Sequence, residues 1–207
     1  VANFVDARHF RPGEAAGVLL DERAGLTPAA TDVVRLGLVA TYAVWKGHRL
    51  FLDAMRGIVD VLGAQRIRGY IIGGPIYRTV RSQVTEADLR RQIAELGLTT
   101  CVGLVPFQSD PRDAYRSLDV VVHASTQPEP FGLTIAEAMA CGKAVAVARA
   151  GGAEEIVTDG ENGRLYRAGD ACSLVETLLG MVGDPELRSR LGRRARITIE
   201  EEFNVET

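Results

Sequence analysis

Residues 125–143 read STQPEPFGLTIAEAMACGK, a stretch that predicts a proline-stiffened loop followed by a short helix. Glu129 falls in the loop, Glu137 falls in the second helical turn, and seven residues separate them. Helical side chains lean toward the helix N-terminus, so we expect the Glu137 carboxylate to point toward the loop that holds Glu129. The helix start between them offers free N–H groups and the positive end of a dipole, which suits a phosphate. A phosphate site flanked by carboxylates that can bind hydroxyls favours a nucleotide-sugar.

The plainer interpretation of the two glutamates is that both are solvated surface carboxylates, as most glutamates are. Against it, prolines on both sides of Glu129 stiffen the loop, and Phe131-Gly132 allows close backbone approach at the helix start. We therefore favour a binding site.

Short apolar runs alternate with helical patterns along the rest of the chain. The apolar runs predict strands at about 36–40, 69–72, 101–105, 120–123, 144–148 and 164–166. Helical patterns fall at 14–24, 46–61, 82–96, just after 110–111, and at 154–157, 170–182 and 185–201. This alternation predicts an α/β fold with a doubly wound parallel six-stranded sheet, whose ligands bind beyond the carboxyl ends of the strands. We expect one domain over residues 1–207, with 1–12 as a leading linker or strand.

Composition limits the function classes. Hydrophobic residues make up 46% and charged residues 25% of the chain, which is ordinary for a globular protein. The formal net charge of −3 argues against a nucleic-acid binder. Three widely spaced cysteines suggest free thiols in a reducing compartment, and no apolar run reaches the roughly 18 residues of a transmembrane segment. We expect a cytoplasmic protein.

Lys46 is placed just before a predicted helix. A cation there opposes the helix dipole by roughly 0.3–1 kcal/mol when exposed, a cost that is reasonable if an anion binds between them. A solvated lysine beside a breaker glycine is an equally good interpretation. His123 ends an apolar strand and is expected to be a hydrogen-bonded core histidine rather than a catalytic one.

The segment from Glu129 to Glu137 resembles the E-x7-E signature of retaining family 4 glycosyltransferases. Further matches follow in the expected order at Asn3–Asp6 with Phe10, Lys46-Gly47, Gly73–Pro75, Gly151–Val157 and Asn162-Gly163. The resemblance implies that the chain is the C-terminal, Rossmann-like half of a GT-B fold and binds the nucleotide-sugar that donates the transferred sugar. It also implies that the N-terminal acceptor domain is absent, and that any peripheral contact with the inner membrane is made by that missing domain.

The resemblance also implies a role for individual residues. Glu129 would contact the sugar hydroxyls and Lys46 the leaving diphosphate, and both are the expected catalytic residues. Glu137 would bind the ribose diol. The other donor-binding positions implied are Thr41, Gly74, Val105, Phe107, Pro130, Phe131, Gly132, Leu133 and Thr134. The base would lie against the loop from Val105 to Phe107, and neither a metal nor a cofactor is expected.

Thr41 is a departure from the family pattern, which commonly has an arginine five residues before the lysine. Threonine offers a hydrogen bond but no charge, so we expect weaker donor binding. The expected activity is retaining transfer of a hexose-type sugar by the longer protein, with the isolated chain inactive. The alternative is a non-catalytic nucleotide or nucleotide-sugar binding module. A dinucleotide-dependent oxidoreductase is disfavoured because residues 41–47 lack the glycine fingerprint.

Overall fold

A computed structural model describes residues 4–14, 17–75 and 82–205. Its strands form one six-stranded sheet in the order β3-β2-β1-β4-β5-β6, with every neighbouring pair parallel. The strands are β1 Val34–Val39, β2 Ile67–Gly73, β3 Val102–Pro106, β4 Val120–His123, β5 Ala144–Arg149 and β6 Arg164–Arg167. The predicted doubly wound parallel sheet is confirmed.

Helices cover both faces of this sheet. They are α1 Gly17–Arg23, α2 His48–Leu62, α3 Glu86–Glu95, α4 Arg112–Ser117, α5 Leu133–Ala140, α6 Ala153–Ile156, α7 Ala171–Gly183 and α8 Pro185–Glu202. One core lies between the sheet and α2, α3 and α7, and the other between the sheet and α1, α4, α5 and α8. Because both faces are buried, β4 is apolar at three successive positions and reads as one continuous run rather than an alternating one. None of the described helices has the length and apolar content needed to cross a bilayer.

Two strands begin earlier than the sequence predicts because each has a buried arginine as its second residue. Arg35 in β1 pairs with the fully buried Asp21 of α1 at 3.0 Å, and Tyr70 of β2 donates a hydrogen bond to the same carboxylate. Arg68 in β2 donates to the backbone carbonyls of Ala64 and Ile67. In a sequence, a charged residue beside an apolar run predicts that the strand ends there. In this structure the hydrogen-bond partners of each arginine allow it to be buried within the strand.

The helix predicted from residue 82 begins instead at Glu86. Thr85 caps it, since the Thr85 side chain accepts from the Asp88 N–H and the Asp88 carboxylate accepts from the Thr85 N–H. The residues before the cap pair with the loop after β1, through Val44 N–H to the Ser82 carbonyl and Val84 N–H to the Tyr42 carbonyl. This pairing holds the loop that carries Lys46.

The first described residues form a linker and not a strand. Val5 makes a single parallel bridge with Asn204, just beyond α8. Arg196 of α8 donates to the carbonyls of Ala7, Phe10 and Ala140, so one guanidinium ties this linker to the end of α5. Asn3, part of the family resemblance, lies outside the described residues.

Candidate active site

The loops after β1 and β4 meet where the strand order changes direction, the usual ligand position in doubly wound sheets. The Thr126 N–H donates to the Trp45 carbonyl at 2.8 Å and joins the two loops. Gly47 makes this approach possible: its φ is 73°, and a Cβ atom there would lie 1.8 Å from the Ala124 carbonyl oxygen. Lys46 is thereby placed against the loop that holds Glu129.

Glu129 is held by three side chains that converge on one of its oxygens. Lys46 Nζ lies 2.6 Å from Glu129 Oε1, Ser125 donates its hydroxyl to the same atom, and His123 Nε2 lies 3.3 Å away. The Glu129 side chain is only 14% exposed. Burial alone raises the pKa of this carboxyl, but the contacts with His123, Lys46 and Ser125 outweigh it and lower the pKa to about 2. Glu129 is therefore ionised at neutral pH.

The backbone of the Glu129 loop rests on the turn after β5. The Gly152 N–H donates to the Glu129 carbonyl at 2.9 Å, and Glu129 bridges Gly151. A Cβ atom at Gly152 would lie 2.2 Å from the Pro130 carbonyl oxygen, so a side chain there would push the loop away. The glycine pair therefore serves to seat this loop.

Glu137 has a different environment on α5. Its Oε2 accepts a hydrogen bond of 2.7 Å from the hydroxyl of Tyr115, a fully buried residue of α4. Burial raises the pKa of the Glu137 carboxyl, and the hydrogen bond from Tyr115 offsets only part of that rise. No described side chain makes a hydrogen bond or an ion pair with both Glu137 and Glu129, so the two carboxylates form separate halves of the site.

A cavity of about 220 Å³ opens beside Glu137, beyond the ends of β1 and β2. Its lining includes Thr41, Phe107, Gln108, Tyr115, Thr134 and Glu137. A second cavity, of about 300 Å³, adjoins it on the other side of Phe107 and contains Gly74 and Pro75 in its lining. Phe107 is 57% exposed, so its ring offers an open apolar surface between the two cavities.

The start of α5 carries unfilled hydrogen-bond donors. Gly132 precedes the helix in the left-handed region, with φ 96° and ψ 57°, and no side chain caps it. The N–H groups of Leu133 and Thr134 have no acceptor among the residues that the structure describes. These groups and the helix dipole form a site that suits an anion, on the same element as Glu137.

The remaining residues predicted to bind the nucleotide-sugar differ in whether their side chains are open to a ligand. Val105 is wholly buried in the core and does not line either cavity, so its predicted contact with a base is left to its backbone. The Phe131 ring packs against Phe203 at 5.9 Å between ring centres and likewise leaves only its backbone. Leu133 is 51% exposed at the helix start, and Pro130 lies in the Glu129 loop, which rests on the turn after β5.

Three residues that contact the two glutamates are not among the site residues predicted from the sequence. His123 is buried as predicted, yet it faces Glu129 and neither ring nitrogen makes a well-aligned hydrogen bond within the described chain. Ser125 and Tyr115 each hold one of the two glutamates. His123 and Ser125 could have been found from their position at the carboxyl end of β4, whereas nothing in the sequence links Tyr115 to Glu137. In the described parts of the chain, no cluster of three or more His, Cys, Asp or Glu residues could hold a metal.

Comparison with known proteins identifies the family. Residues 29–198 match the family described as Glycosyl transferases group 1. The chain is 36% identical to N-acetyl-alpha-D-glucosaminyl L-malate synthase of Bacillus anthracis, over 100% of this chain and 50% of that protein. It is 33% identical to D-inositol 3-phosphate glycosyltransferase of Saccharomonospora viridis, over 93% of this chain and 43% of that protein. The chain thus spans about half the length of the curated relatives it matches.

Solved structures agree with this assignment. Anabaena HepE, solved in complex with UDP and glucose, matches 99% of this chain and 52% of its own with a TM-score of 0.83 and 27% identity. The C-terminal domain of the group 1 family protein LpcC from Francisella tularensis shares the fold over 97% of this chain and 99% of its own, with a TM-score of 0.80 and 24% identity. The fold is that of one half of a GT-B enzyme, and the chain belongs to the group 1 glycosyl transferases.

Proposed function

We propose that this chain binds a nucleoside-diphosphate sugar as the donor half of a retaining, hexosyl-type glycosyltransferase. The observation that carries the proposal is the placement of the unfilled α5 helix start with the Lys46–Glu129 pair on one side and the Glu137 cavity on the other. Each part matches one component of such a ligand: ribose, diphosphate and sugar. The HepE structure, whose partners are UDP and glucose, supports the same ligand class.

The nucleoside would bind in the cavity next to Glu137. Tyr115 occupies one oxygen of the Glu137 carboxylate, and the other oxygen is left for the ribose diol. The Phe107 ring offers the base an apolar face, and backbone groups from 105 to 107 provide hydrogen bonds at its edge. Thr41, in the lining of the same cavity, provides one hydroxyl toward the phosphates.

The diphosphate would bind at the helix start and draw Lys46 from Glu129. As the glycosidic bond breaks, negative charge develops on the leaving diphosphate, and an ammonium already positioned beside it stabilises that charge. Glu129, released from Lys46, would accept hydrogen bonds from the sugar hydroxyls. In this scheme no metal is needed, because Lys46 and the helix dipole supply the positive charge.

Transfer to an acceptor would need the remainder of the longer protein. The curated relatives are about twice as long as this chain, and the site lies open at one end of the sheet. We therefore expect the isolated chain to bind donor weakly and to transfer no sugar. Turnover of a UDP-, GDP- or ADP-sugar by the isolated chain at the rate of a complete enzyme would contradict this expectation.

A panel of UDP-, GDP- and ADP-sugars tests the donor-binding proposal. Thermal unfolding should shift upward with one nucleotide class, since binding to the native state alone raises apparent stability. Calorimetric titration of Lys46→Ala should then show a loss of nucleoside diphosphate affinity of about tenfold or more. Arg49→Ala is the matched control, because Arg49 is a 74% exposed cation of α2 that pairs only with Asp53 among the described side chains. A panel without any shift, or equal losses in both variants, would disprove the proposal.

A non-catalytic nucleotide-binding module is the second candidate. It is favoured because, of the two glutamates, Glu137 lines the cavity proposed for the nucleoside and Glu129 does not. Such a module needs Glu137 and the helix start, but has little use for a carboxylate directed at a sugar. The affinities of the Glu129→Ala variant for UDP and for a UDP-sugar separate the two functions. If the chain favours another base, the corresponding pair of ligands is used. A transferase loses affinity for the sugar nucleotide alone, whereas a module shows no difference between the ligands.

A further inference from the structure

His123 is fixed in position at the carboxyl end of the central strand β4. Its side chain is 6% exposed, and its backbone carbonyl accepts a hydrogen bond of 3.1 Å from the buried Tyr166 hydroxyl of β6. The His123 backbone also pairs with Val147 of β5. The ring therefore projects from a rigid part of the sheet and not from a loop.

The Glu129 carboxylate accounts for the burial of this imidazole. A buried polar group without a partner costs free energy, and neither ring nitrogen makes an aligned hydrogen bond within the described chain. Nε2 nevertheless lies 3.3 Å from Glu129 Oε1, close enough for an N–H on that nitrogen to be attracted to the carboxylate. A small rotation of either side chain would align them.

The contacts of Glu129 divide its two oxygens. Lys46, Ser125 and His123 all contact Oε1, whereas no donor among the described residues contacts Oε2. One oxygen is thus anchored to the protein and the other is available to a ligand. If Lys46 moves to a bound diphosphate, only Ser125 and His123 remain to hold the anchored oxygen.

We propose that His123 is a positioning residue that keeps Glu129 Oε1 anchored when Lys46 turns to the diphosphate, so that Oε2 faces the sugar hydroxyls. This inference rests on the proposed donor-binding function. It assigns to His123 an effect on the sugar part of the ligand alone, because the nucleoside and phosphate contacts lie on other residues. A histidine that merely fills the core would instead affect both ligands alike, through stability.

The test compares the nucleotide-sugar that most stabilises the wild-type chain with its own nucleoside diphosphate, by calorimetric titration. His123→Leu should weaken the sugar nucleotide by about tenfold, the effect of losing one hydrogen bond to a charged group, and leave the diphosphate within about twofold. His123→Gln, which keeps an N–H donor near the position of Nε2, should restore most of the loss. In a Glu129→Ala background, His123→Leu should cause no additional loss.

His48→Leu is the matched control for removal of a buried histidine. His48 is 1% exposed and packs edge-on against Tyr42, with 5.6 Å between ring centres, and it has no contact with Glu129. It should change both affinities by the same factor. Thermal unfolding of each variant verifies that it is folded at the titration temperature.

The possible results separate the inference from the function on which it rests. Equal effects of His123→Leu on both ligands, no effect on either, or an added loss in the Glu129→Ala background would overturn the role of His123 alone. A wild-type chain that binds no nucleotide-sugar would overturn the proposed function and this inference with it. A ligand-specific loss rescued by His123→Gln would support both.

Discussion

Glu129 and Glu137 are separated by seven residues, yet their surroundings act on their charges in opposite directions. Lys46, Ser125 and His123 contact Glu129, and its pKa is lowered to about 2. Glu137 meets one neutral donor, Tyr115, in a partly buried position, and burial raises its pKa. The loop glutamate is therefore held as an anion by one ammonium and two further polar side chains, whereas the helix glutamate is held by a single phenol.

The difference follows from where the two residues lie relative to the sheet. Glu129 faces the junction of the β1 and β4 loops, where the Lys46 turn comes close. Glu137 faces away from that junction, toward α4 and the cavity at the ends of β1 and β2. One signature motif thus supplies a fixed negative charge at one position and a hydrogen-bonding carboxyl at the other. Four experiments can break or sharpen this contrast.

The largest expected effect is on the pH dependence of stability. The pKa of Glu129 falls from 4.5 unfolded to about 2 folded, so its contribution is fully present above 4.5 and is lost as the pH falls toward 2. Glu129→Gln should therefore lower the free energy of unfolding by about 3 kcal/mol at neutral pH, with the difference from wild type narrowing below 4.5. Urea unfolding at several pH values measures this.

Glu137→Gln provides the opposite case. The raised pKa of Glu137 means that its ionised form is penalised at neutral pH and that the penalty disappears as the pH falls through that pKa. The amide removes that penalty and its oxygen can still accept from Tyr115, so this variant should unfold at a urea concentration equal to or above that of the wild type at neutral pH. Equal destabilisation by the two substitutions would contradict the contrast.

The next effect is on ligand affinity, measured by calorimetric titration. Glu137→Gln should weaken the nucleoside diphosphate and its sugar nucleotide alike, by about tenfold, because the proposed ribose contact is common to both. Glu129→Gln should weaken the sugar nucleotide only. A loss restricted to the sugar nucleotide in Glu137→Gln would show that the two roles are exchanged.

The helix start between the glutamates gives a smaller effect. Gly132→Ala places a side chain at φ 96° and within 2.7 Å of the buried Ile135 side chain. Gly160→Ala is the control, since its φ is 80° but nothing lies within 4 Å. Gly132→Ala should cost about 1 kcal/mol more unfolding free energy than Gly160→Ala, and it alone should weaken nucleoside diphosphate binding. Equal stability and equal affinity of the two variants would show that the start of α5 does not contribute to ligand binding.

The smallest effect concerns the phosphate contacts. Thr41→Arg adds a cation to the cavity lining, and we expect a gain of about threefold in nucleoside diphosphate affinity, with Thr41→Gln as the uncharged control. The gain should diminish with added salt in titrations. No gain over Thr41→Gln would mean that the missing arginine does not limit binding here.

Much of the fold could be predicted because local pattern and tertiary structure agree. The strand at 120–123 and the helix that starts at Pro185 were predicted closely, since both are marked by apolar runs or an Asp-Pro start. The early start of β1 could not be predicted, because Arg35 meets its partner Asp21 only in the folded structure, whereas Arg68 of β2 donates to carbonyls one and four residues before it. The Thr85 cap is marked in the sequence by the capping-box spacing of Thr85 and Asp88.

The site shows the same division. The spacing of Glu129 and Glu137 and the helix start were readable from residues close in sequence. Tyr115 lies 22 residues from Glu137 and reaches it only because α4 packs on α5. The sequence predicts a core histidine at position 123, because an apolar strand pattern does not distinguish burial in the core from contact with Glu129.

The bridge between Val5 and Asn204 places the leading linker beside the residue after the last helix. The Val5 N–H donates to the Phe203 carbonyl and the Val205 N–H to the Val5 carbonyl, so the linker is fastened to the end of α8. Arg196 of α8 also donates to the carbonyls of Ala7, Phe10 and Ala140, so a displacement of the linker would be transmitted through one guanidinium to the end of α5. The unfilled N–H groups lie at the other end of this same helix, which couples the anion-binding end of α5 to a contact on the far side of the fold.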